Sequence, residues 1–169
     1  MAHYLIIVGY ADRLSMRPRI LDVGCGDGVL RGHFAGVSFE EYVGLDISSV
    51  AVQKADAKQF PNTTFLVADF DKTSSLGAFD IVVFNESIYY APDPLQTFIS
   101  YRALLRPRGA IIVSIHDTGL RTAAMWRRFE RFHASTYSTL LSNERNQTWD
   151  VRAFVRPDRE SSGTVDIKS

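Results

Sequence analysis

Short apolar runs recur at residues 19–23, 42–46, 64–67, 79–84 and 110–115. Each is nearly continuous, rich in valine and isoleucine, and bounded by turn residues. That is the pattern of strands buried on both faces. Segments of helical spacing lie between them. Residues 28–35 follow a glycine turn. Residues 48–58 begin at Ser48 or Ser49, either of which can cap, and turn Val50, Val52 and Ala55 inward. Residues 93–106 open on Asp93-Pro94, a capping residue followed by proline at the first helical position. This helix carries Leu95, Phe98, Ile99, Ala103 and Leu105, and Pro107-Arg108-Gly109 then turns the chain into the fifth strand. Residues 119–133 predict a helix with Leu120, Ala123, Ala124, Phe129 and Phe132 inside. Residues 3–16 read as a helix lying across the sheet, although Leu5 to Val8 also suit a strand. Strands alternating with helices imply a parallel sheet covered on both faces. The end of the chain differs: residues 137–142 and 148–155 alternate and flank Asn143 to Gln147, which predicts an antiparallel hairpin. The organisation expected is an N-terminal helix over 1–18, one domain over 19–156 and a polar tail over 157–169.

Composition narrows the function without naming it. The chain has 169 residues, of which 46% are hydrophobic, enough for one core. Lysine plus arginine and aspartate plus glutamate both number 19, so no net charge points to nucleic acid or to an anionic membrane. Cys25 is the single cysteine, which excludes an intrachain disulfide. No apolar run approaches the ~20 residues of a membrane span. Met1 to Val8 is apolar but has no basic leader. The expectation is a cytoplasmic protein. His3, His33 and His133 have no metal-ligand spacing, no cysteine–histidine cluster exists, and no metal site is predicted.

The chemistry concentrates in Ile20-Leu21-Asp22-Val23-Gly24-Cys25-Gly26-Asp27-Gly28, and in Asp46 at the end of the next run. A buried strand entering such a turn lets backbone N–H groups and a helix N-terminus approach a ligand closely. The second strand delivers a carboxylate suited to ribose hydroxyls. The dinucleotide fingerprint G-x-G-x-x-G would need a third glycine where Val29 stands. Asp22 and Asp27 flank the turn; they suit a ligand bearing an ammonium and a sulfonium and repel a pyrophosphate.

With these features the chain resembles the class I S-adenosylmethionine-dependent methyltransferases, in their small-molecule branch. Residues 20–28 match the first motif of that family and Tyr42-Val43-Gly44-Leu45-Asp46-Ile47-Ser48 the second. Leu66-Val67-Ala68-Asp69-Phe70 matches the third, and Phe79-Asp80-Ile81-Val82-Val83-Phe84-Asn85-Glu86 the fourth strand and its exit. The resemblance covers residues 19 to 156. It implies a Rossmann-like α/β fold, a doubly wound sheet of seven strands in the order 3-2-1-4-5-7-6 with strand 7 antiparallel. It also implies S-adenosylmethionine as cofactor, S-adenosylhomocysteine as product and a small-molecule acceptor, a sugar or lipid precursor among the candidates. A non-catalytic methyltransferase-like subunit and an NAD-dependent oxidoreductase are the alternatives, and a homodimer is a possible assembly.

Under that resemblance the cofactor-binding set is Asp22, Gly24, Cys25, Gly26, Asp27, Gly28, Asp46, Ile47, Asp69, Phe70, Asn85 and Glu86, with Asp71 a competitor for the role of Asp69. Asp46 binds the ribose and Asp69 faces the adenine amino group. Asp22 answers the amino-acid end of the cofactor, and Cys25 is a small residue in the turn. Asn85 can reach the methionine portion by side chain or backbone. The catalytic candidates are Glu86, Tyr90 and His116. Glu86 can take a proton from the acceptor or orient it, and Tyr89 or Tyr90 can face the sulfonium. His116 after the fifth strand can act as general base or serve as a loop hydrogen-bonder. Arg121, Arg127, Arg128 and Arg131 form a basic stripe, either a solvated face or a surface for an anionic acceptor. Asn85-Glu86 departs from the N/D-P-P-Y pattern of many DNA and protein amino-methyltransferases, which again favours small acceptors.

Overall fold

The computed structural model of the chain describes residues 2–69, 76–116 and 119–158. Phe70, Asp71, Asp117 and the tail from residue 159 onward lie outside the described residues. In chain order the elements are α1 (Ala2–Leu14), β1 (Arg19–Val23), α2 (Val29–His33), β2 (Glu41–Asp46), α3 (Ser49–Asp56) and β3 (Thr63–Val67). Then follow β4 (Phe79–Asn85), a 3-10 turn (Ile88–Tyr90), α4 (Pro94–Arg102), β5 (Leu105–His116), α5 (Leu120–Phe132), β6 (Tyr137–Ser142) and β7 (Thr148–Val155). The strands form one sheet in the order β3-β2-β1-β4-β5-β7-β6. The first five run parallel, and β7 is antiparallel to both β5 and β6. This is the Rossmann-like topology expected, with Leu5 to Val8 in helix rather than strand.

Strand alternation sorts the core into two layers. Ile20, Tyr42, Ile81, Val83 and Ile112 face α1, α2 and α3, whose Ile7, Ala11, Leu30, Val52 and Ala55 meet them. Leu21, Val23, Leu45, Val82 and Val113 face α4 and α5. There Phe98 stacks on Phe129 and meets Phe154 edge-on, both at 5.0 Å between ring centres. Helices α3 and α4 start at their side-chain caps. The Asp93 carboxylate accepts from Leu95 N and Gln96 N, and Ser48 Oγ accepts from Ala51 N.

Four expectations are corrected. The helix expected over 93–106 ends at Arg102, and the strand begins at Leu105. The reason is that Leu104 O accepts from Phe79 N at 2.9 Å, which draws the chain into the sheet. Pro107-Arg108-Gly109 is then a bulge inside β5, with Arg108 at φ 63° and the register shifted opposite Phe79 to Ile81. Val50 is 60% exposed, so α3 turns only Val52 and Ala55 inward. In α5, Leu120 is 86% exposed and Ala123 and Ala124 are exposed too. The buried line is Thr122, Trp126 and Phe129, spaced i, i+4, i+7. The helix after the glycine turn is also shorter than expected, Val29–His33 in place of 28–35.

Candidate functional site

Four strand exits meet at one end of the sheet. The turn after β1 is built by close approach. Gly24 N and Cys25 N both donate to Leu45 O at 2.8 Å, tying the turn to β2. Gly24 has φ 77°, and a Cβ there would lie 2.5 Å from Ser87 Cβ. Gly28, also at φ 77°, has the Phe65 ring 2.9 Å from where a Cβ would be. Glycine is therefore required twice, once for the 3-10 segment after β4 and once for β3. Ser87 Oγ donates to Val23 O, which fastens the β1 and β4 exits together. Gly26, by contrast, faces open space.

Asp46 closes the turn. One of its oxygens accepts from Gly26 N and the other from Ser48 N, both at 2.8 Å. Its carboxylate thus sits against the glycine turn, as a ribose-binding acid would need, with lone pairs left on each oxygen. Ile47 beside it is 68% exposed. Asp69 is half-buried just past the end of β3.

A cavity of about 220 Å³ opens at the turn, bounded by Tyr4, Asp22, Gly24, Asp27, Asn85 and Glu86 among others. Asp22 is 1% exposed on the α1–α2 side of β1. Tyr42 OH donates to its Oδ2 at 2.6 Å, while Oδ1 has no partner among the described residues. Burial holds its pKa up at about 7, against the pull of the Tyr42 bond and with help from Asp46. Asn85 Oδ1 is likewise buried without a partner. Two buried acceptors on one cavity with no donor of their own describe a place for a cationic donor. Asp27 is at the rim, its carboxylate 3.6 Å from Lys58 Nζ. Cys25 is buried, and burial with the nearby acids pushes its thiol pKa up, so it is a packing residue rather than a nucleophile.

Glu86 stands between this cavity and a second one. It adopts φ 56°, and its carboxylate accepts from His116 N (2.9 Å), Tyr89 OH (3.2 Å) and Ser114 Oγ (3.4 Å). Burial outweighs these bonds and raises its pKa. The second cavity, about 400 Å³, is lined by Tyr89, His116, Arg121, Thr122 and Met125. The His116 ring leans on Trp149 at 5.2 Å. Of the catalytic candidates, Glu86 and His116 come together; Tyr90 does not join them, for it is 74% exposed and its ring packs tilted on Tyr89, 4.6 Å between centres. Of the basic stripe, Arg128 pairs with Asp93 and only Arg121 lines the second cavity.

Sequence reasoning missed three residues. Tyr42 orients Asp22, and a phenol inside a doubly buried strand is the signal for it. Ser87 pins the turn, and Tyr4 brings α1 to the cavity; neither has a signal in the sequence.

Comparison with known proteins agrees with this architecture. The chain is 32% identical over 103 residues to trans-aconitate 2-methyltransferase of Deinococcus radiodurans, covering 59% of this chain and 39% of that protein. It is 26% identical over 154 residues to the ubiquinone biosynthesis O-methyltransferase of Burkholderia multivorans, covering 87% of this chain and 62% of that one. The chain thus spans only about two-fifths to three-fifths of these relatives. The fold matches N-methyltransferase NodS from Bradyrhizobium japonicum, solved with S-adenosylhomocysteine, with a TM-score of 0.72 at 18% identity over 90% of this chain and 87% of that one. A methyltransferase-domain family model matches residues 7–154. The chain therefore belongs to the methyltransferase-domain family, within the class I S-adenosylmethionine-dependent methyltransferases.

Proposed function

We propose that this domain binds S-adenosylmethionine at the glycine turn and transfers its methyl group to a small-molecule acceptor in the cavity beyond Glu86. The observation that carries the reading is the pair of buried acceptors, Asp22 Oδ1 and Asn85 Oδ1, on one cavity with no donor. They fit the ammonium of the cofactor's amino-acid end. Asp46 fits its ribose, and the exposed Ile47 and half-buried Asp69 fit its adenine. When bound, the cofactor supplies an electrophilic methyl on a sulfonium.

The protein's own residues then align and desolvate. Methyl transfer is an in-line displacement, so holding the acceptor atom in line is the larger part of the work. Glu86 fixes the wall between the two cavities by accepting from the ends of β5 and the 3-10 turn. His116, on the acceptor side, takes the acceptor's proton as it is methylated, and Tyr89 lines the approach. Tyr90 lies one residue further out and covers the acceptor only if that turn moves. Arg121 on the same wall admits acceptors that carry a negative charge. The relatives' names include a trans-aconitate and a ubiquinone-pathway methyltransferase, so acidic and phenolic acceptors come first in a screen, with sugar and lipid precursors next.

The test is calorimetric titration with S-adenosylmethionine and NAD side by side on the wild type and Asp46→Ala. The reading requires binding of the first ligand alone and its loss in the variant, by about a hundredfold or more as two ribose hydrogen bonds to a charged group disappear. NAD binding, or unchanged affinity in the variant, overturns it. Release of S-adenosylhomocysteine with an acceptor present separates an enzyme from a subunit that merely binds.

A further inference from the structure

At the other end of the sheet, where β1, β2 and β3 begin, a cavity of about 470 Å³ lies between the segments 34–39 and 60–62. Two arginines line it, Arg17 and Arg31, and no acidic residue does. Arg31 is only 4% exposed. Arginine is almost never that buried without a carboxylate partner. Among the described residues none lies within ion-pair distance, and burial lowers its pKa against the opposing pull of Tyr42. Its guanidinium is held in place instead by rings. Phe39 lies 4.6 Å away and Phe60 4.9 Å, and Tyr42 borders it at 5.8 Å. Nε donates to Thr63 Oγ1 at 2.7 Å and Nη2 to Pro61 O at 2.9 Å. A guanidinium has five N–H donors in a fixed fork. Two are used, and the rest meet no acceptor among the described residues. Arg17 is exposed, and its side chain makes no hydrogen bond or ion pair among the described residues.

We propose that this cavity is a second ligand site, which takes a small molecule with an oxyanion head, phosphate or carboxylate, on a flat apolar body. Arg31 supplies the pre-oriented half of the oxyanion clamp and Arg17 the mobile half. The rings hold Arg31 at a fixed angle, so little side-chain entropy is lost on binding. Phe34, Val37, Phe39 and Phe60 give the wall for the ligand's body, and the cavity is far larger than a bare phosphate needs. The site is independent of the proposed methyl transfer. It shares α2 and Tyr42 with the cofactor end: the glycine turn enters the helix that carries Arg31, and Tyr42 bonds Asp22 while its ring borders Arg31.

The experiment is an amide and guanidinium NMR titration of the ¹⁵N-labelled protein with phenyl phosphate, inorganic phosphate, benzoate and phenol. Phenyl phosphate should shift Arg31 Nε–H and the amides of Gly32, Gly36 and Asn62 saturably, leaving Gly24 and Gly26 in place. Inorganic phosphate should bind more weakly at the same amides, and benzoate against phenyl phosphate tells which head group is preferred. Arg17→Gln, at an exposed position with no ion pair to lose, should weaken binding about tenfold or more, the worth of one charge-assisted contact. Arg31→Lys, which keeps charge but not the fork, should do the same. Shifts produced equally by phenol, an unaltered affinity in Arg17→Gln, or no saturable shift at all would each overturn the proposal. A parallel titration with S-adenosylmethionine reads the cofactor site alone, so the two readings fail separately.

Discussion

The two ends of the sheet carry opposite charges around the same phenol. Tyr42 OH donates to Asp22 at the carboxyl end, and the Tyr42 ring borders Arg31 on the side toward the amino end. Both side chains are nearly sealed from water, and neither has an ion-pair partner among the described residues. The difference lies in how each escapes the cost. Asp22 can neutralise itself by holding a proton up to about pH 7. A guanidinium cannot do so near neutrality, so Arg31 must be satisfied by oxygens. Thr63 and Pro61 supply two. The carboxyl end is therefore a site tuned by pH, whereas the amino end is a permanently charged one.

The largest effect should separate the two ends by crowding. Gly24 and Gly36 both have positive φ, at 77° and 89°. A Cβ on Gly24 would overlap Ser87, whereas one on Gly36 would meet nothing within 4 Å. Gly24→Ala should cost about 3 kcal/mol or more, from backbone strain plus overpacking. Gly36→Ala should cost about 1 kcal/mol, from the strain alone. In thermal unfolding the first should lower Tm by about 6–12 °C and the second by about 2–4 °C. Equal losses would mean that the turn is not pressed against the 3-10 segment.

Asp22→Asn comes next. Because the folded pKa of Asp22 lies above the ordinary carboxylate value, the folded state binds the extra proton. The wild type without ligand should then lose stability as pH rises from about 4 to about 7 through this group. The variant should melt no lower than wild type at about pH 8, and it should lack that slope. Cofactor affinity behaves oppositely. An ammonium pairs with the ionised acid, so wild-type affinity should fall up to about tenfold per unit below pH 7. The variant should bind weakly at every pH, about ten- to a hundredfold down at pH 8. A variant with wild-type affinity would remove Asp22 from the cofactor site and leave it a structural oddity of β1.

The carboxyl end was the legible one. Its acids and glycines are read off a single stretch, because a strand, a turn and a capping position are local features. Gly24, Gly26, Asp22 and Asp46 needed no knowledge of what packs on them. The amino-end site was not legible. Arg31 follows the glycine turn by three residues and looks like a helix-surface arginine. It is buried by Phe39 and Phe60, which arrive from two loops far apart in sequence. The same non-locality explains the errors in the elements. Pro107-Arg108-Gly109 has turn composition, yet the pairing of Phe79 with Leu105 makes it a bulge. In α5, Leu120 and Ala123 fit an apolar stripe, but Trp126 and Phe129 bring more area and set the inward face.

The smallest effect is the sharpest test of the shared phenol. Tyr42→Phe removes the single hydrogen bond to the Asp22 carboxylate but keeps the ring beside Arg31. That bond favours the ionised form, so its loss should raise the Asp22 pKa further, by about one unit. The pH at which cofactor affinity begins to fall should move up by the same unit. At about pH 7.5 this amounts to a loss of several-fold, recovered near pH 9. Phenyl phosphate binding at the amino end should not change, because neither arginine loses a contact. A variant that weakened both ligands equally would show that Tyr42 braces the sheet as a whole, and the two charges would then be one packing problem instead of two sites.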